Sequence, residues 1–124
     1  VIDTDSGFNT STYKYTVPSG KAGKYFVVGQ INVNLLSLTA HQNIIRVNGS
    51  DVGIKNLFQS NNTSTTQVFT NSNYIGSCVS GIVDLSEGAE VTHIVFAAQN
   101  GTSNLTLFAA DSVPTRFYGY KLIG

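Results

Sequence analysis

Apolar residues recur at every second position along much of this sequence, and that spacing constrains the fold more than any other feature. In the segment 25–35 every odd position is apolar except Gly29. The even positions are apolar at Phe26 and Val28 and carry amide side chains from Gln30 to Asn34. Side chains two residues apart lie on the same face of a β-strand. The pattern therefore predicts a strand that is buried on both faces at one end.

Similar segments follow along the chain, separated by clusters of Asn, Gly and Ser. Asn48-Gly49 predicts a type I′ hairpin turn, because both central positions of that turn need positive φ, and Ser86-Glu87-Gly88 predicts another turn. The predicted strands are Tyr13–Val17, Tyr25–Leu35, Ile44–Val47, Val52–Ile54, Val68–Phe69, Tyr74–Leu85, Glu90–Ala98, Leu105–Ala109 and Arg116–Ile123. About eight to ten short strands favour an all-β, two-sheet antiparallel jelly-roll sandwich.

The bulk composition limits the classes of partner. The chain has 124 residues, so residues 1–124 are expected to form a single domain. Seven basic residues balance seven acidic ones, which gives no basic field for a nucleic acid. No run approaches the roughly 18 apolar residues of a membrane span. We expect neither nucleic-acid binding nor membrane insertion.

Cys78 is the single cysteine. A lone cysteine excludes a disulfide framework and a thiolate cluster for a metal. Because it lies in the apolar run 75–85, we expect a buried structural thiol.

Four short blocks carry a family resemblance. The first is Gly7-Phe8-Asn9, and the second is Tyr15-Thr16-Val17-Pro18 followed by Gly20, Gly23 and Tyr25. The others are the segments 84–91 and 117–123. In order and spacing they resemble the C1q/tumour-necrosis-factor superfamily of extracellular and viral domains. The turn 19–22 is longer than in animal members, and the form TVPSGKAGKY is similar to versions in tails and fibres of bacterial viruses.

The resemblance implies a threefold assembly with apolar residues near the axis. The residues it places there are Tyr25, Phe26, Tyr118 and Tyr120. Aromatic rings suit such an interface, because they bring a large contact area at a small entropic cost. The alternative is that these rings fill the core of one subunit.

Three segments rich in Asn, Gln and Ser are candidate contact loops, namely Ser37–Asn43, Asn56–Thr66 and Gln99–Asn104. Amide and hydroxyl groups match the donors and acceptors of sugar hydroxyls. The candidate receptor-contact residues are His41, Gln42, Asn43, Gln59, Asn61, Asn62, Asn100 and Asn104.

Residues for catalysis are sparse. His41 and His93 are the only imidazoles, and a set of Ser80, His93 and Asp84 lacks the Gly-x-Ser-x-Gly elbow of a serine hydrolase. We expect no enzymatic activity and no cofactor.

Calcium is the one candidate ion, with oxygen ligands from Asp3, Asp5, Asp51 and Asp111. Lys14, Lys21 and Lys24 around the first turn are expected to guard a strand edge, or else to contact an acidic glycan.

The residues and the resemblance together predict a non-enzymatic, homotrimeric virion fibre or tail-tip domain, located on the virion or outside the cell. It would bind the host cell surface, and most readily a glycan, through loops at one end of the sandwich. A capsid decoration or head-fibre module is the alternative, with other virion proteins as partners. A secreted C1q/TNF-like ligand is the third hypothesis.

Overall fold

A computed structural model describes residues 5–34, 38–59, 74–99 and 115–122. These residues form eight β-strands and no helix. The strands are β1 (Phe8–Asn9), β2 (Lys14–Thr16), β3 (Gly23–Asn34), β4 (Leu38–Val47), β5 (Ser50–Gln59), β6 (Tyr74–Leu85), β7 (Glu90–Gln99) and β8 (Arg116–Lys121). The predicted all-β class is confirmed, and the predicted strands Val68–Phe69 and Leu105–Ala109 lie outside the described residues.

The strands form two antiparallel sheets, ordered β1-β2-β7-β4-β5 and β6-β3-β8. The pairs β2–β7, β3–β6 and β4–β5 are nested one inside the next. Successive pairs lie in alternate sheets, because β2–β7 and β4–β5 belong to the five-stranded sheet and β3–β6 belongs to the three-stranded one. The prediction of a two-sheet antiparallel sandwich is therefore confirmed.

Alternation along β3 and β6 decides which side chains lie between the sheets. Tyr25, Val27 and Ile31 of β3 are buried, and the matching residues of β6 are Ser77, Val79, Val83 and Leu85. Cys78 falls between two inward positions, so its side chain faces outwards and is exposed. The prediction of a buried thiol is wrong, because the apolar residues alternate around Cys78 rather than enclose it.

Among the described residues, an apolar core cluster lies next to the turns 18–22, 48–49 and 86–89, at the end of the sandwich that we call the turn end. Its members are Val17, Tyr25, Val27, Ile45, Val79, Val83, Leu85, Ala89 and Val91. Backbone hydrogen bonds join the turns that close this end. Val17 N donates to Ala89 O at 3.0 Å, and Gly88 N donates to Val17 O at 2.9 Å.

The hairpin between β4 and β5 has the predicted turn. Asn48 and Gly49 both have positive φ, at 50° and 78°, and Val47 pairs with Ser50. The side chain of Asn48 also accepts a hydrogen bond from Glu90 N at 2.9 Å. This turn is therefore held against the start of β7.

β4 and β5 are longer than predicted. β4 begins at Leu38 and β5 continues to Gln59, so residues 41–43 and 56–59 belong to strands instead of loops. β4 is an interior strand that pairs with β5 on one side and β7 on the other. The two ladders pair the backbone groups of this polar stretch, so it forms a strand although its composition is typical of a loop.

Candidate functional site

The outer face of the three-stranded sheet carries the largest group of exposed rings among the described residues. In the register of the sheet, Phe26 of β3 lies between Ile82 of β6 and Tyr120 of β8. Tyr118 lies two residues along β8, opposite Val28. We call Phe26, Ile82, Tyr118 and Tyr120 the contact face.

The contact face is open to solvent although it is largely apolar. Ile82 is 59% exposed, Tyr118 50% and Tyr120 57%, and the rings of Phe26 and Tyr120 are 5.5 Å apart at 41°. Charge appears at its margin, where Lys24 Nζ lies 3.1 Å from Asp84 Oδ2. A contiguous exposed patch of this kind is typical of a protein contact surface.

Tyr25 does not belong to the contact face. It is 4% exposed and packs in the subunit's own core, where its hydroxyl donates a hydrogen bond to Lys21 O at 2.6 Å. Adjacent residues of a strand point to opposite faces, so Tyr25 and Phe26 cannot share a surface. Of the four residues predicted for the interface, Phe26, Tyr118 and Tyr120 lie together.

The strand ends that flank the candidate contact segments lie at one end of the sandwich, opposite the turn end. Asn34 pairs with Tyr74, Ala40 with Gln59, and Leu38 with Gln99. These strand ends therefore lie together at this end, which we call the far end, and the segments 35–37, 60–73 and 100–114 that follow them in the sequence lie outside the described residues. Asn61, Asn62, Asn100 and Asn104 lie outside the described residues.

The other predicted receptor-contact residues belong to strands. His41 and Gln42 lie in β4, and Gln59 is the last residue of β5. Asn43 is fully buried between the sheets. Its prediction as a receptor contact is wrong, because it faces inwards from an interior strand.

Asn43 instead joins the two sheets through its side-chain amide. Its Nδ2 donates to Gly29 O on β3 at 3.1 Å and to Ser77 O on β6 at 3.3 Å. Its Oδ1 forms a hydrogen bond with His93 Nε2 on β7. Because both amide hydrogens are used on carbonyls, Oδ1 must accept, and His93 must therefore carry its proton on Nε2.

His93 is enclosed by strands of both sheets. Its ring stacks on Phe117 of β8, with centroids 5.9 Å apart and planes at 28°, and a Cβ on Gly29 would come within 2.6 Å of the ring. Burial lowers the pKa of His93 below its ordinary value of 6.5. Sequence analysis missed this cluster, although Asn43 and His93 each share a face with buried residues two positions away, Ile45 and Val91.

The remaining polar candidates are separated or already paired. Ser80 and Asp84 are exposed on β6, whereas His93 faces the interior, so the structure does not bring the three together. Asp5 and Asp51 lie in ion pairs with Lys21 and Arg46, at 3.1 and 2.7 Å. Asp3 and Asp111, the other acids considered for calcium, lie outside the described residues. Within the described ranges no group of three His, Cys, Asp or Glu side chains is arranged to hold a metal ion.

Each lysine near the first turn also has an acidic partner. Lys14 Nζ lies 2.7 Å from Glu90 Oε2, and Lys21 and Lys24 pair with Asp5 and Asp84.

The carboxylate of Glu87 joins its own turn to the turn that contains Gly20. It accepts from Gly20 N at 3.0 Å, and this bond, with help from Ser19, lowers the pKa of Glu87 below its ordinary value of 4.5.

Comparison with known proteins gives no family assignment. No protein-family model matches the sequence, and a search of the curated proteins finds no match. In the described part of the chain, no helix is long and apolar enough to cross a membrane.

Proposed function

We propose that this chain is a non-enzymatic head domain that assembles as a homotrimer on a virion fibre or tail tip and binds the host cell surface. In this proposal the subunit is a C1q/TNF-like jelly roll. The contact face packs against neighbouring copies, and segments at the far end carry the binding sites. The ligand is a repetitive surface polymer, most readily a glycan.

The observation that carries the proposal is the contact face. Two tyrosines and an isoleucine are at least half exposed on one sheet, next to a half-buried phenylalanine. The chain is only 11% charged, and Lys24 and Asp84 pair with each other at the edge of the face. Association would cover the exposed apolar area while the paired Lys24 and Asp84 stay at its edge, and it supplies a reason for the face to be apolar.

The geometry of the far end supports a binding role for the assembly. The contact face occupies the half of β3 nearest the turn end, whereas the flanks of segments 35–37, 60–73 and 100–114 lie at the opposite end. In a threefold assembly whose axis runs along the strands of the contact face, the far ends of the three copies would point in the same direction. Three weak sites on one rigid head raise the overall affinity for a repetitive polymer through effective concentration.

The test is binding of the purified chain to host cells and to polysaccharide extracted from their surface. The proposal expects saturable binding to both, competition with virion adsorption, and at least tenfold weaker binding by a dissociated variant such as Tyr120→Asp. The matched control is Tyr13→Asp, at an exposed turn residue away from the contact face. Binding only to assembled capsids at symmetric sites would favour a decoration module, and binding only to an animal-cell receptor would favour a secreted ligand. Either outcome would overturn the adhesin proposal.

A further inference from the structure

We propose that the contact between His93 and β8 is a pH-sensitive switch: neutral His93 holds β8 on the sandwich, and protonated His93 releases it. The proposal concerns the fold of a single subunit. It stands on the position of the ring, the fixed hydrogen bonds of Asn43 and the absence of an acid near the pair among the described residues.

β8 is held weakly enough for one contact to matter. It has six residues and pairs with β3 alone among the described strands. Phe117 is its inward ring, opposite Gly29 in register. The imidazole of His93 lies against both residues, stacked on Phe117 and in contact with the bare Cα of Gly29. The docking of β8 therefore depends on an imidazole that can remain neutral.

Among the described residues, no acidic side chain bonds to the Asn43–His93 pair. The contacts that the pair makes with β3, β6 and β8 include Gly29, Ser77 and Phe117, and none of these three residues titrates. Arg46 and Arg116 lie on the outward positions of their strands, and Arg46 pairs there with Asp51. Two tyrosines also belong to the inner layer, Tyr15 and Tyr25, and their rings lie 6.1 Å apart at the core cluster.

The carboxylates of the described residues make their contacts away from His93. The acids of the described ranges make their contacts at the surface; they are Asp5, Asp51, Asp84, Glu87 and Glu90. The second histidine, His41, belongs to β4, as Asn43 does. Asn43 cannot compensate by rotating its amide, because Nδ2 would then face the imidazole and the bonds to Gly29 O and Ser77 O would be lost. A proton on Nδ1 thus creates a partly buried charge without a counter-ion.

The direction of the pH effect follows from burial, which lowers the pKa of His93 in the folded state. The unfolded chain takes up the proton near the ordinary value of 6.5, while the folded chain resists it. Stability is therefore complete above that value and declines as the pH falls towards and through the lowered pKa.

Release of β8 has a second consequence, which rests on the proposed function. Tyr118 and Tyr120 are on the outward side of β8, so the strand that carries Phe117 also carries half of the contact face. Acidification should therefore dissociate the assembly. A chain that is a single subunit at every pH would remove this consequence and the proposed function, but it would leave the switch itself intact.

The experiment compares wild type with His93→Gln and His41→Gln by calorimetry between pH 7.5 and 5.5, where most carboxylates stay ionised. Wild type and His41→Gln should lose about 5 °C more of melting temperature over this range than His93→Gln loses. The local effect on β8 is read from amide exchange at Tyr118 and Tyr120, which should accelerate at least tenfold at pH 5.5, after correction for intrinsic rates, in wild type and His41→Gln but not in His93→Gln. Equal losses in all three proteins, or unchanged exchange in β8, would overturn the proposal.

A direct titration keeps the proposal testable if His93→Gln does not fold. With two histidines in the sequence, their ring C–H resonances in the NMR spectrum can be assigned by using His41→Gln alone. The His93 resonance should titrate below its ordinary midpoint of 6.5, together with shifts in the Phe117 ring. A midpoint at or above that value would contradict the proposal.

Discussion

The two outer faces of the sandwich differ in the side chains that pack against their exposed aromatic rings. On the three-stranded sheet, the rings of Phe26 and Tyr120 pack at a tilt of 41°, Ile82 pairs with Phe26, and the ion pair of Lys24 with Asp84 lies at the margin. On the five-stranded sheet, the guanidinium of Arg46 lies over Phe96 at 5.7 Å. Arg46 also binds Asp51 at 2.7 Å.

This difference indicates which face is suited to contact with a partner. A charged pair above an apolar ring opposes association, since a partner would have to desolvate it. The contact face has no such cover among the described side chains. We infer that the three-stranded face is the interface.

The largest expected effect comes from placing a charge on the contact face. Tyr120→Asp should weaken assembly by about 3 kcal/mol or more, because the carboxylate would be buried without a partner. The measurement is the dissociation constant from sedimentation velocity. Tyr13→Asp is the matched control, since Tyr13 is 74% exposed in a turn. Equal assembly of Tyr120→Asp and wild type would remove Tyr120 from the interface.

A smaller effect is expected from truncating one ring on each face. Phe26→Ala should weaken assembly by about 2 kcal/mol, a typical value for an aromatic at the centre of an interface. Phe96→Ala makes the same chemical change on the other face and should leave the dissociation constant within about twofold of wild type. The comparison of the two faces would be reversed if Phe96→Ala were the more damaging variant.

Removing Arg46 from above Phe96 tests whether this charged side chain prevents association through the five-stranded face. Arg46→Ala takes away the cation–π contact and the ion pair with Asp51, each a modest contribution of about 0.5–1 kcal/mol at an exposed site. We expect melting to change by a few degrees at most and new concentration-dependent association to appear in light scattering. Lys24→Ala, which removes a charge at the margin of the contact face, is the control and should produce no additional species. A monodisperse Arg46→Ala protein at high concentration would show that Arg46 does not guard this face.

Much of the sandwich could be predicted from the sequence because alternation is a local signal. The odd positions of β3 and the Asn48-Gly49 turn were both correctly predicted. The same alternation separates Tyr25 from Phe26, but family resemblance grouped them as one aromatic pair. Periodicity shows which residues share a face, and only the packing of the sheets shows which face is covered.

Asn43 illustrates what could not be predicted. Its neighbours are polar, so the local sequence is typical of a loop. Its burial depends on β5, β7 and the opposite sheet, which are distant in sequence. An amide that bonds to carbonyls of two strands, and accepts from a histidine on a third, leaves no pattern within a short window of sequence.

The smallest expected effect is that of salt on assembly. An interface made by the contact face is mainly apolar, so raising NaCl from about 0.05 M to about 1 M should change its dissociation constant by no more than about threefold, and towards tighter binding. Sedimentation at the two salt concentrations gives the answer. A loss of tenfold or more would indicate an ionic interface, such as the paired lysines and acids around the first turn.

The most direct test of the central claim is the molar mass of the wild-type chain across a dilution series at neutral pH. Multi-angle light scattering and sedimentation equilibrium should give three times the 13.2 kDa of one chain from micromolar to nanomolar concentration. A single species of 13.2 kDa throughout the series would contradict the account, because Phe26, Ile82, Tyr118 and Tyr120 would then face solvent in the functional protein.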